Sequence, residues 1–507
     1  YLASDEYKSD ESYWTAKFKD DVPALDLPLD RPRPPSRGYA SERVDHWLPA
    51  QSVQALRKVA AAHGCSLSAA AQAVFQVLLM RLTGQTSIAV GMPAAGQAMF
   101  GRENLVGHCV NLLPIRAELD PSMTFADLLK SFRKTLHEAF DHQKYTYGSL
   151  LKRLAIARDP SRMPLVCVMF NLDPGWTPVH RRFSGLQVEI HSNPRAFENF
   201  ELFVNCVGKE GGLILEAQYK TELLERPTIV GWLNAYHHLI EQFVRDPALP
   251  IGKAPLLNDA EFTKVIKDWN STEVPLDGLL LAHDAISAQA LRTPDRIAVV
   301  DATRSISYRE LETRSNQLAR YLLSCGARRG SLVGVAVDRN IDLMVALLAV
   351  LKVGSAYVPL DPDYPSDRLE YMLTMSKVRV VVTDSIRKSQ LPLGDAQAVC
   401  MDTDWEHVAG LSAEPLTSSD REAATRDDVA YVIFTSGSTG LPKGVQVLHL
   451  GVANFLRSMQ REPGIDDGDA LLAVTTLSFD IAVLELYLPL TAGACVVMAS
   501  RDDAMDA

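Results

Sequence analysis

Apolar positions fall at two different spacings along the chain, and the change between them divides it. Up to about residue 245, spacing by three and four predicts helices at 52–62 and 68–81. A third begins behind Thr124 as N-cap, with Leu128, Leu129, Phe132 and Leu136 on one face. Short apolar runs predict strands at 86–90, 165–170 and 212–218, and 232–244 reads as an amphipathic helix. Helices and strands do not alternate regularly there, so 1–245 predicts a layered α+β domain. Residues 246–282 read as a turn-rich linker around one short amphipathic helix near 259–269. From 283 to 507 the texture becomes regular. Strands are expected at 297–300, 332–337, 356–358, 378–383, 429–434, 470–475 and 494–498, with helices at 307–325, 341–352 and 366–375 between them. Such alternation predicts a mainly parallel sheet covered by helices, with ligands at the carboxyl ends of its strands.

Composition narrows the class. A length of 507 residues suggests about three domains or large subdomains. Apolar residues at 47% and charged residues at 22% are globular values. The longest apolar stretches, such as 344–351, are far short of the ~20 residues of a membrane span, and the first residues carry no signal-peptide pattern. A net charge of −11 lacks the basic footprint of a nucleic-acid binder, so an anionic ligand needs a local site. None of the 7 cysteines forms a Cys-x-x-Cys pair, which excludes a zinc ribbon or thioredoxin motif. Isolated thiols of this kind fit a reducing cytoplasm.

The strongest chemical signal follows the strand at 429–434. It is Ala430-Tyr-Val-Ile-Phe-Thr435-Ser436-Gly437-Ser438-Thr439-Gly440-Leu-Pro442-Lys443-Gly444. An apolar strand empties into six residues drawn only from Gly, Ser and Thr, followed by one lysine. Glycines let the backbone approach a ligand closely. Amides and hydroxyls can then wrap phosphate oxygens while Lys443 adds a mobile positive charge. It is not a Walker loop, which requires Gly before the Lys and Ser or Thr after it. A flexible surface loop is the competing reading of such a run.

With these residues, 283–507 resembles the adenylate-forming superfamily, in particular the adenylation domains of nonribosomal peptide synthetases. Further segments match that family's signatures in order: Ile306-Ser-Tyr-Arg-Glu-Leu311, Leu351-Lys-Val-Gly-Ser-Ala-Tyr-Val-Pro-Leu-Asp-Pro362, and Ser478-Phe479-Asp480 with Leu488-Pro-Leu-Thr-Ala-Gly493. The resemblance implies that Thr435, Ser436, Gly437, Ser438, Thr439, Gly440 and Lys443 bind ATP phosphates. It implies that Phe479, Asp480, Ile481 and Leu484 line the amino-acid site. In the amino-acid-activating branch the Asp pairs with the substrate's α-ammonium, and a buried ammonium needs such a partner. A simple helix N-cap is the alternative for Asp480. Ile481 and Leu484 after Asp480 resemble the start of the pocket of glycine-activating domains.

Residues 1–245 resemble the C-terminal lobe of a condensation domain. The resemblance rests on Tyr13-Trp14 through Leu27-Pro-Leu-Asp30-Arg-Pro-Arg-Pro34, on Val90-Gly-Met-Pro-Ala-Ala-Gly96 through Val106-Gly-His-Cys-Val-Asn-Leu-Leu-Pro-Ile-Arg116, on His142-Gln-Lys-Tyr, and on Arg158-Asp-Pro-Ser-Arg-Met-Pro-Leu165. It implies an α/β multidomain protein: a chloramphenicol acetyltransferase-like α/β sandwich lobe, then an adenylate-forming N-terminal subdomain. That family's catalytic His-His-x-x-x-Asp-Gly motif does not occur in the sequence, so no catalytic residue is assigned to this half. His237-His238 reads as part of a helix, and His108 as a packed histidine.

The implied chain is an internal piece of a synthetase that activates an amino acid as aminoacyl-AMP and condenses it with an upstream chain. ATP and magnesium are the implied cofactors, with the magnesium ligand expected beyond residue 507, and no metal ligand is assigned here. Phosphopantetheine on a separate carrier domain of the same assembly line is the implied acceptor. Neither nucleic acid nor membrane is an expected partner. Two other readings stay open: a free-standing acyl-CoA ligase, and a non-enzymatic remnant that only docks carrier proteins.

Overall fold

In the computed structural model, the described residues are 1–19, 22–96, 106–107, 109–154, 156–157, 159–173, 192–276, 278–436, 441–500 and 504. They form two compact units, Tyr1–Thr272 and Glu273–Ala507.

The first unit runs α1 (Asp5–Lys17), β1 (Ser41–Leu48), α2 (Ala50–Ala62), α3 (Leu67–Thr83), β2 (Ser87–Ala95), β3 (Val110–Glu118), α4 (Phe125–Asp141) and α5 (Tyr147–Leu154). It continues with β4 (Val168–Asp173), β5 (Leu202–Lys209), β6 (Gly212–Lys220), α6 (Arg226–Arg245) and α7 (Asp259–Thr263). One sheet of order β1-β6-β5-β4-β2-β3 carries the unit. It is mixed: β2–β4 and β4–β5 are parallel, and the other three pairs antiparallel. α3 is apolar almost all round and is buried from Ala69 to Met80, as a helix inside a core must be. Thr124 caps α4 as expected, accepting from the Asp127 amide, and Phe125 stacks on Phe243 of α6 at 4.4 Å.

Several expected bounds move for local reasons. β4 starts at Val168 and not 165, because Leu165 adopts φ 67°, outside any strand conformation. Residues 246–282, read as a linker, are only partly one. Ile251 and Ala254 are fully buried in the first unit's core, and Arg81 donates to the Ala254 carbonyl. The helix expected at 259–269 narrows to α7 and then widens into a looser turn over Lys264–Asp268.

The second unit runs α8 (Ala282–Arg292), β7 (Ile297–Val300), β8 (Ser305–Ser307), α9 (Tyr308–Ser324), β9 (Leu332–Val335), α10 (Ile341–Val353), β10 (Ala356–Pro359), α11 (Ser366–Ser376) and β11 (Val380–Thr383). Then follow α12 (Ser385–Lys388), β12 (Gln397–Cys400), α13 (Trp405–Ala409), β13 (Val429–Thr435), β14 (Lys443–Leu448), α14 (His449–Met459), β15 (Ala470–Ala473), α15 (Ala482–Ala492) and β16 (Cys495–Met498). Two sheets form, of order β12-β11-β9-β10-β13-β14 and β15-β16-β7-β8. They are parallel except at the edge pairs β13–β14 and β7–β8. Alternate residues of the six-stranded sheet enter different cores. Val380, Val382, Tyr357, Tyr431 and Ile433 face one core, and Val381, Val358 and Val432 the other. That two-sided burial is why these strands read as continuous apolar runs. No single helix among the described residues is long and apolar enough to cross a membrane.

Candidate functional site

The Gly/Ser/Thr loop grows out of β13, which is buried through Ile433 and emerges at an exposed Thr435. The chain returns as β14, paired antiparallel so that Lys443 stands opposite Thr435, Gly444 opposite Phe434 and Val445 opposite Ile433. Residues 436–442 thus join two strands, whereas a P-loop joins a strand to a helix. Any grip on phosphate falls to loop amides, hydroxyls and Lys443, without a helix dipole behind the loop. Gly444 allows the close approach: a Cβ there would lie 3.0 Å from Val432 Cγ1 and 3.3 Å from Phe434 Cζ. Gly437, Ser438, Thr439 and Gly440 lie outside the described residues. Ser436 and Lys443 are exposed, and Lys443 has no hydrogen-bond or ion-pair partner among the described residues.

Asp480 sits on the turn between β15 and α15. α15 begins at Ala482 with Ile481 in the cap position and no side-chain cap. Asp480 is therefore not an N-cap, and its carboxylate is exposed and unpaired among the described residues. Phe479 and Ile481 are also exposed, while Leu484 packs against the core. The carboxylate expected at a buried ammonium is thus exposed.

Two residues that sequence reading passed over hold this turn. Glu485 of α15 accepts from the amides of Val474 and Thr475 at 2.8 Å each and from the Thr475 hydroxyl at 2.6 Å. Arg339 donates to the carbonyls of Ala473 and Val474 from the other side. Burial lowers the Arg339 pKa, and Glu485 opposes that shift. Under the turn, Tyr431 of β13 stacks on Tyr357 of β10 with centroids 5.3 Å apart. Burial, and then the charge of Asp480, push the Tyr431 phenol up to about 12. The strand that leads into the Gly/Ser/Thr loop therefore feels the Asp480 carboxylate. Glu485 has a readable signal, an acid in the first turn of a helix. Nothing local marks Arg339 or Tyr431.

A cleft of about 720 Å³ opens at the carboxyl ends of β9, β10, β15 and β16, where ligands of parallel sheets gather. It reaches Leu477 and Ser478 but is lined by none of Thr435, Lys443 and Asp480, so it borders the candidate site without containing it. Among the described residues no group of three or more His, Cys, Asp or Glu side chains could hold a metal ion.

In the first unit, His142 is committed to packing. Its Nδ1 lies 2.7 Å from Asp10 Oδ1 and its ring stacks on Tyr13 at 4.3 Å. His237 and His238 lie within α6. His108 lies outside the described residues.

The condensation-domain family matches residues 1–266, and the family described as AMP-binding enzymes matches 286–507. Tyrocidine synthase 3 of Brevibacillus parabrevis is 34% identical over 504 residues, covering 99% of this chain and 8% of its own length. Gramicidin S synthase 2 of Brevibacillus brevis is 30% identical over 497 residues, covering 98% of this chain and 11% of itself. The chain thus spans only about a tenth of the length of these curated relatives. Among solved structures, a four-domain nonribosomal peptide synthetase bound to AMP and glycine superposes with a TM-score of 0.87 at 23% identity, covering 98% of this chain and 38% of that one. The synthetase FmoA3 superposes with a TM-score of 0.77 at 26% identity, covering 98% and 51%.

Proposed function

This chain belongs to the nonribosomal peptide synthetases, joining a condensation-domain segment to an AMP-binding segment, and from that premise we propose that its second unit activates an amino acid with ATP. The amino-acid carboxylate attacks the α-phosphorus, pyrophosphate leaves, and an aminoacyl adenylate results. The observation that carries the reading is two exposed charges of one unit, Lys443 and Asp480, each without a partner among the described residues. Lys443 stands at the mouth of the Gly/Ser/Thr loop, and Asp480 on the clamped turn whose charge reaches β13.

In this reading Thr435, Ser436, Gly437, Ser438, Thr439 and Gly440 cradle the phosphates. Lys443 offsets the charge that develops on them. Asp480 holds the α-ammonium, with Phe479, Ile481 and Leu484 beside the side chain. The ion pair becomes strong only when the bound substrate excludes water from it. Magnesium would supply further positive charge to the phosphates that the loop and Lys443 hold. The first unit belongs to the amide-forming half-reaction, in which the activated residue, carried as a thioester on the phosphopantetheine of a carrier domain, joins an upstream chain. The isolated thiols suit a reducing, cytoplasmic setting.

Amino-acid-dependent ATP–pyrophosphate exchange in the complete synthetase tests the reading. Breaking a desolvated ion pair costs roughly 3–5 kcal/mol, so Asp480→Ala should weaken exchange by about a hundredfold or more. Lys443→Ala should mainly raise the ATP concentration required. Exchange within about threefold of wild type for Asp480→Ala, a difference under ~1 kcal/mol, refutes the ammonium assignment. Coenzyme A accepting the acyl group in place of a carrier domain would favour the ligase reading.

A further inference from the structure

The first unit gathers one hydroxyl and two imidazoles in a line, from two consecutive elements and a third far away in sequence. Ser52 lies in the first turn of α2, His237 on α6 and His46 on β1. Ser52 Oγ is 3.4 Å from His237 Nε2, and His237 Nδ1 is 3.3 Å from His46 Nε2. All three residues are half-buried, which leaves them reachable from solvent. One tautomer satisfies both contacts: the Ser52 hydroxyl donates to His237 Nε2, and the His237 Nδ1–H donates to His46 Nε2. That is the order nucleophile, base, orienting group.

The surroundings suit the roles. Burial lowers the His237 pKa and outweighs the opposing pull of Glu241, so its imidazole is neutral and able to accept a proton near pH 7. Glu241 Oε1 stands 3.7 Å from His237 Nε2, near enough to steady the imidazolium once it forms. Pro49, at the cap position of α2, makes no side-chain cap, so the first-turn amides beside Ser52 are left without a capping partner.

We infer that Ser52 is a reactive nucleophile that accepts acyl groups from activated esters and thioesters, with His237 as its general base. Oγ attacks the acyl carbonyl carbon as its proton passes to His237 Nε2. The carbon–oxygen or carbon–sulfur bond to the leaving group breaks, and that group takes the proton from His237. An ester on Ser52 remains. Water, deprotonated by the same imidazole, then releases the free acid and restores the hydroxyl.

The test uses the full chain with a fluorophosphonate probe and with p-nitrophenyl acetate. The peptide containing Ser52 should carry the phosphonyl group by mass spectrometry, at close to one per chain. Ser52→Ala should lose that label and the p-nitrophenolate burst. His237→Gln should slow labelling by about a hundredfold, the usual contribution of a general base, while far-UV circular dichroism stays unchanged. Wild-type chain that leaves Ser52 unlabelled overturns the inference. So does a His237→Gln chain, still folded, that labels at the wild-type rate.

Discussion

Acid should open the second unit through one side chain, His449. It is fully buried at the start of α14, its ring set against His283 of α8 with centroids 5.4 Å apart. Neither of its ring nitrogens has a hydrogen-bond partner among the described residues. Burial pulls its pKa down to about 4, against a weak upward pull from Asp428. His283 is held well below its ordinary value by burial and then by His449, Arg421 and Lys352. Asp284, Glu312 and Lys352 complete the charged groups around the pair. A histidine whose folded pKa lies below the unfolded value of about 6.5 contributes fully above that pH, and the contribution drains away as pH falls toward 4. Between pH 7.5 and 4.5 the loss from His449 alone is about 2.5 kcal/mol, at ~1.36 kcal/mol per pKa unit. Urea unfolding followed by pulse proteolysis, scored on fragments of 273–507, should show a midpoint lower by roughly 1 M at the acid pH. Other groups also titrate there, so the decisive comparison is His449→Leu. It orphans no partner and should be at least as stable as wild type at pH 7.5, while losing about 2.5 kcal/mol less on acidification. Equal acid losses in wild type and His449→Leu, within ~0.5 kcal/mol, would refute the burial argument.

The remaining predictions concern buried polar clamps. Arg33 grips Glu201 in two hydrogen bonds, at 2.7 and 3.1 Å, and Glu201 is 2% exposed. Arg33→Ala should cost the first unit roughly 3–5 kcal/mol by denaturant unfolding, whereas Arg33→Met with Glu201→Leu should recover most of it. A double variant as unstable as the single one would show that packing, not the stranded carboxylate, sets the cost. Glu485→Ala strands two amides and a hydroxyl on the turn before Asp480, costing about 1–3 kcal/mol. Amino-acid-dependent exchange should fall with it, and Glu485→Gln, which keeps one acceptor oxygen, should restore part of both.

The periodicity of the chain determined much of this protein by itself. The burial of α3 and α10, the N-cap at Thr124 and the run of parallel strands in the second unit all follow from local spacing. That spacing reports which side of an element must leave water. Edge elements were not legible in the same way. β1 pairs with β6 some 170 residues later, β12 is only four residues long, and β14 exposes most of its length, so neither alternation nor apolar runs mark them. The candidate site divides along the same line. Thr435, Lys443 and Asp480 stand out in sequence because a Gly/Ser/Thr run and an isolated acid have few structural uses. Lys443 comes opposite Thr435 only through the antiparallel register of β13 and β14, and Asp480 is left uncapped because α15 starts two residues later. The Glu485–Arg339 clamp and the Tyr431 floor arise from contacts between segments up to 135 positions apart in the chain. Local sequence states which side chains are able to do chemistry. Which of them meet, and which stay unpaired, depends on non-local contacts that exist only once the sheets close.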